Sequence, residues 1–94
     1  MDKEINSMKI RNMIMVSESE IREFLFDVTN NKKVDLNNDD PLIEKGIIDS
    51  MVMLEMIAFI EEKYGIQIED EEIVPENFDS INKIVAYIRE KSVI

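Results

Sequence analysis

Apolar positions recur with helical spacing in three stretches of the chain. In the first, Ile21, Phe24, Leu25 and Val28 fall at i, i+3, i+4 and i+7, the stripe an amphipathic helix turns towards a core. Ser17 and Glu20 stand in front of it as an S-x-x-E capping box, in which each side chain satisfies a backbone N–H of the first turn. The pattern fades through Thr29, Asn30 and Asn31. A second helix is expected from about Ser50 to Tyr64, with Met53, Ile57, Ile60 and Tyr64 as its core stripe and Leu54 beside them. Gly65 suits a left-handed cap at its end. Met51, Glu55, Phe59 and Glu62 line another face of that helix, a mixed surface suited to docking a partner. In the third stretch Asp79 or Ser80 caps a helix in which Ile81, Ile84, Val85 and Ile88 repeat the stripe, and Arg89 and Lys91 suit the negative end of its dipole.

The segments between these helices are uneven. Residues 32–49 read as a long loop, rich in turn formers from Asn37 to Pro41, with Pro41 biasing Asp40 away from helix. Its apolar residues Val34, Leu36, Leu42, Ile43, Ile47 and Ile48 predict an ordered loop anchored on the core. Ile66 to Asp70 lead to a short helical piece around Glu71 to Asn77, whose regularity Pro75 limits. Ile66-Gln67-Ile68 is a fragment of strand alternation, too short to compete. The expected fold is all-α: a four-helix bundle with three main helices, one short helix and a long first loop.

Composition divides the chain near Val16. Residues 1–16 hold four of the seven Met and carry three basic against two acidic residues, whereas the whole chain has a formal net charge of -10. Neither helical nor strand spacing persists there, so 1–16 is expected to be a flexible or weakly helical N-terminal extension and 17–94 the globular domain. With 94 residues the chain has room for one modest core. Its 21 acidic against 11 basic residues make nucleic acid an unsuitable ligand. No apolar run reaches the ~18 residues of a membrane span, and the charged residues among Met1 to Val16 leave no signal-peptide core. A cytoplasmic monomer is the expectation. Cys and His are absent, which excludes disulfides, thiolate or imidazole metal sites and Ser-His or Cys-His nucleophilic pairs. The side chains supply little chemistry of their own, and an enzyme is not expected.

Two constellations remain. Asp35, Asn37 and Asp39 have the D-x-N-x-D spacing of a calcium loop, but Asp40 and Gly46 stand where that loop needs Gly and Glu, so the three read as turn formers. Asp49-Ser50 stands where the long loop enters the second helix. Both residue types are preferred N-caps, and capping alone accounts for the pair. One cap is enough, however. If Asp49 caps, the Ser50 hydroxyl is free at a helix N-terminus, where a phosphate ester benefits from the dipole and nearby N–H groups.

The surroundings of that pair carry a resemblance. Gly46-Ile47-Ile48-Asp49-Ser50-Met51, the helix with Leu54, Glu55, Ile57, Phe59 and Glu61-Glu62, then Tyr64-Gly65-Ile66 and Pro75 to Ile81 resemble the acyl carrier protein family over about residues 18–91. The resemblance implies a carrier whose motif serine, here Ser50, receives 4′-phosphopantetheine from coenzyme A through a phosphopantetheinyl transferase. The thiol of that arm holds acyl or aminoacyl cargo as a thioester, consistent with the absence of Cys. It further implies that Asp49 positions the site, that Met51 packs against partner enzymes, and that Glu55, Glu61 and Glu62 meet their basic patches. Those glutamates also read as a plain solvated helix face. Phe59 reads as core, with partner contact as the alternative; Met53 is expected in the core, and Met51 and Met56 more exposed. Met51-Val52 departs from the fatty-acid carriers, which usually have Leu and an acidic residue there. Ile47-Ile48 is closer to discrete carriers loaded by a dedicated adenylating ligase, such as D-alanyl or aminoacyl carriers, and carriers of alkoxymalonyl units also look similar. The competing class is an unmodified acidic helical adaptor that docks a basic partner through Glu55, Glu61 and Glu62.

Overall fold

The computed structural model describes residues 16–29 and 36–92. Its main helices are α1 (Glu18–Thr29), α2 (Ser50–Tyr64), the one-turn α3 (Pro75–Phe78) and α4 (Ile81–Ser92), with a 3-10 turn at Asp70–Glu72. There is no strand among the described residues. α4 packs against each of the other three helices and α1 packs against α2, which makes the fold the expected all-α four-helix bundle.

Each helix boundary has a local cause. Ser17 Oγ accepts from the Glu20 amide at 3.4 Å, but only this half of the expected capping box forms. The Glu20 carboxylate instead accepts from the Tyr64 hydroxyl at 2.5 Å and lies 3.8 Å from Lys63 Nζ, tying the start of α1 to the end of α2. Gly65 ends α2 in the left-handed conformation at φ 68°, donating to the Glu61 carbonyl. At the start of α4 the cap is Ser80, whose Oγ accepts from the Lys83 amide at 3.0 Å; Asp79, the other candidate, is used elsewhere. The short helical piece expected at Glu71–Asn77 divides into the 3-10 turn and α3, because Pro75 takes the first position of a new helix, where its missing N–H costs nothing.

Ile21 and Leu25 of α1, and Ile81, Ile84, Val85 and Ile88 of α4, are buried as their spacing predicts, and Phe78 of α3 joins them. Val16, at the end of the expected extension, is also buried in this core. On α2 the expected core face is rotated. The buried residues are Val52, Met56 and Ile60, while Met53, Ile57 and Tyr64 are half-buried at its border. Met56, expected to be exposed, is 0% accessible, and Leu54, expected beside the core, is 69% exposed. α2 carries apolar residues around most of its circumference, so several faces satisfy the same spacing and the packing of α1 and α4 chooses among them.

The connection between α2 and α3 is held by carboxylates. Glu61 Oε2 accepts from the Ile68 amide at 2.9 Å. Glu72 accepts from both Lys91 Nζ at 2.8 Å and the Tyr87 hydroxyl at 3.0 Å, and also from the Glu69 amide. This pins the 3-10 turn to the C-terminal half of α4.

Candidate functional site at the start of α2

The described part of the first loop is ordered by its own turns and by the core. Asn37 and Asp40 close the first turn: the Asn37 amide donates to Asp40 Oδ2 at 2.9 Å, and the Asp40 amide returns to the Asn37 carbonyl at 3.1 Å. The Asn37 amide, with Lys45 at 3.4 Å, holds the Asp40 carboxyl below its ordinary value. A second turn follows over 41–46. The Gly46 amide donates to the Ile43 carbonyl and the Ile47 amide to the Leu42 carbonyl, with Gly46 at φ 77°. This is the Schellman arrangement that otherwise ends a helix, and the positive φ is the reason a glycine stands there. The chain then turns inward, burying Leu42 and Ile48 with Ile43 and Ile47 half-buried beside them. Val34 lies outside the described residues.

Asp49 follows in extended conformation, and its Oδ1 accepts from the Val52 amide at 2.9 Å. The cap is therefore Asp49, and Ser50 is the first helical residue, with its side chain exposed. The amides of 50 and 51 belong to the first turn, where a helix leaves its N–H groups without intrahelical acceptors. An ester on Ser50 Oγ would thus project into solvent from the positive end of α2.

Beside Ser50 the outer face of α2 presents Met51 at 72% exposure, Leu54, Glu55, Ala58 and Glu62. Met51, Glu55 and Glu62 are thus placed together on the solvent side. Phe59 and Glu61 are not. Phe59 stacks on Phe24 with ring centroids 4.5 Å apart and meets Tyr64 edge-on at 6.3 Å, and Glu61 is engaged with the Ile68 amide. Leu54 is the residue of this face that sequence reasoning missed. Its position four after Ser50 and three after Met51 was the available signal. A cleft of about 270 Å³ opens between α1 and α2, lined by Glu20, Glu23, Phe24, Asp27, Phe59 and Lys63. Among the described residues no three acidic side chains gather as a metal site. Asp35 lies outside them, Asn37 closes its turn, and Asp39 accepts from Asn82 Nδ2 at 2.7 Å.

Residues 19–88 match the family of phosphopantetheine attachment sites. The chain belongs to that family. It is similar to the D-alanyl carrier protein of Lactococcus lactis subsp. cremoris (strain MG1363), at 32% identity over 78 residues, which is 77% of this chain and 96% of that protein. The D-alanyl carrier protein of Lacticaseibacillus casei (strain BL23) is 27% identical over 70 residues, 74% of this chain and 86% of that protein. That of Lactobacillus acidophilus (strain ATCC 700396 / NCK56 / N2 / NCFM) is 34% identical over 50 residues, and there the match spans 53% of this chain and 63% of that protein. No solved structure matches. The carrier domain's role is to bear phosphopantetheine and present what is attached to it, not to catalyse a reaction itself. No helix among the described residues is long and apolar enough to cross a membrane.

Proposed function

We propose that Ser50 is the residue that receives 4′-phosphopantetheine, and that the protein is a discrete carrier of small aminoacyl groups of the D-alanyl kind. The observation that carries the first part is the division of labour at the helix start: Asp49 provides the cap through Val52, and the Ser50 hydroxyl is exposed on the first turn. The aminoacyl cargo rests on the likeness to D-alanyl carrier proteins.

The attached arm would supply the thiol on which cargo is held as a thioester. The chain's own residues do the rest. Asp49 fixes the first turn, so Ser50 Oγ occupies one place relative to the face of Met51, Leu54, Glu55 and Glu62. Met51 and Leu54 offer an apolar contact to a phosphopantetheinyl transferase and to an adenylating ligase, and Glu55 and Glu62 steer basic surfaces towards it in a salt-sensitive way. Glu61 and Phe59 serve the fold, so their substitution acts through stability rather than docking.

The test is the intact mass before and after incubation with coenzyme A and a broad-specificity phosphopantetheinyl transferase. Wild type gains one phosphopantetheinyl group and Ser50→Ala gains none. A wild type that is folded, initially unmodified and gains nothing would return the protein to the adaptor reading. For the cargo, the phosphopantetheinylated carrier with its thiol free is offered D-alanine, ATP and a D-alanine-activating ligase, with malonyl transfer as the comparison. Faster malonyl transfer than D-alanyl transfer would overturn the aminoacyl assignment.

A further inference from the structure

The place of Ser50 depends on residues far from it in sequence. The Leu42 amide donates to the Asp79 carbonyl at 2.7 Å, and the adjacent Ile43 amide donates to Asp79 Oδ1 at 2.8 Å. These two amides open the 41–46 turn, so they are the groups such a turn leaves without internal acceptors. Asp79 is free to serve them because it stands between two helices: its own N–H closes α3 on the Pro75 carbonyl, and the cap of α4 is Ser80. Next to it the Asn82 amide donates to the Asn38 carbonyl at 3.0 Å, and Asn82 Nδ2 to Asp39 Oδ1. The α3–α4 junction and the first loop thus satisfy each other's orphan groups.

The tether passes on to the site through one peptide unit. The Ile43 amide is held by Asp79 Oδ1, and the Leu42 carbonyl on the same peptide unit accepts from both the Ile47 and the Ile48 amides, at 2.9 and 3.1 Å. Ile48 is buried, Asp49 caps α2, and Ser50 follows. We infer that Asp79 is a positioning residue for phosphopantetheine attachment: its carboxylate holds the loop so that Ser50 and the segment before it reach a transferase in one arrangement. This rests on the assignment of Ser50 above. A loop released from Asp79 populates the competent arrangement for part of the time, and its apparent affinity for the transferase falls by that fraction while turnover after binding is kept.

The experiment compares steady-state modification of wild type, Asp79→Ala, Asp79→Asn and Tyr87→Phe by the same transferase with coenzyme A, at a temperature where each is folded by circular dichroism. Asp79→Ala should raise KM for the carrier by about fivefold or more with kcat little changed. Asp79→Asn, which retains an acceptor oxygen, should recover most of the loss. Tyr87→Phe loses a hydrogen bond to Glu72 remote from the loop, and should leave KM at the wild-type value. Amide hydrogen exchange across residues 42–50 should quicken in Asp79→Ala alone. If Asp79→Ala does not fold, Asp79→Ser, whose acceptor falls one bond short of Ile43, carries the same expectation. An unchanged KM in a folded Asp79 variant, no recovery with Asn, or an equal rise in Tyr87→Phe would each overturn the inference. Failure of the Ser50 assignment looks different, because wild type itself would gain no mass.

Discussion

Two positions around Ser50 set its geometry, each by a different physical device. Asp49 accepts from the Val52 amide, and Asp49→Ala should cost about 1 kcal/mol by loss of the cap, with Asp49→Asn or Asp49→Ser nearly neutral in urea denaturation. Gly46 has open space around the site of a Cβ, so no clash opposes a substitution, but its φ of 77° does. Gly46→Ala should therefore cost about 1 kcal/mol through backbone strain alone. A neutral result by urea denaturation would mean that the turn relaxes to another conformation. Ser50 itself makes no contribution of this kind, and Ser50→Ala should unfold at the wild-type urea midpoint while losing its modification. The motif was legible in the sequence because capping chemistry is a local property. That Asp49 rather than Ser50 caps depends on where the helix begins, and the turn ended by Gly46 sets that.

At the scale of elements, the contest is over which face of α2 is inside. Val52, Met56 and Ile60 are buried, and Met51 and Leu54 are the large apolar side chains left out. Met56→Ala should cost about 2–5 kcal/mol, as a cavity in a close-packed core does. Leu54→Ala should change stability by less than about 0.5 kcal/mol. Thermal or urea unfolding of the pair separates the two faces, and comparable losses would restore the face expected from periodicity. If Leu54 serves partner enzymes, the same Leu54→Ala should slow modification despite its unchanged stability. α4 presents no such ambiguity. Its large apolar residues lie on one side, so the stripe Ile81, Ile84, Val85 and Ile88 led to its buried face, which Tyr87 extends.

For the whole molecule, a few paired titratable groups link stability to pH. Glu72 is kept below its ordinary value first by Lys91 and then by the Glu69 amide. Its contribution is present above the unfolded value near 4.5 and is lost as pH falls through the depressed folded value. The difference in Tm between wild type and Glu72→Gln should therefore be largest near neutrality and shrink below about pH 4.5. A gap independent of pH would show that Glu72 acts by packing and not by charge. Tyr64 and Tyr87 are pushed the other way, above the usual phenol range, by burial and then by Glu20 and Glu72 respectively. Their contribution is complete below about pH 10 and declines as pH rises beyond it, so alkaline unfolding should follow phenolate absorbance.

What the sequence by itself determined is what depends on neighbours in the chain. The three main helices, the left-handed cap at Gly65, the all-α class and the Asp49-Ser50 motif all follow from spacing and turn chemistry over a few residues. The family resemblance was carried by residues of the same segments. Tertiary structure alone decided the rest. It rotated α2 onto Met56, drew Glu20 out of its capping box to Tyr64 and committed Glu61 to the Ile68 amide. It also joined Asp79 to Ile43 across 36 residues of chain. The physical reason is the same in each case. A carboxylate or an apolar side chain has several acceptable partners in sequence, and only the packed chain brings one donor or one cavity within reach.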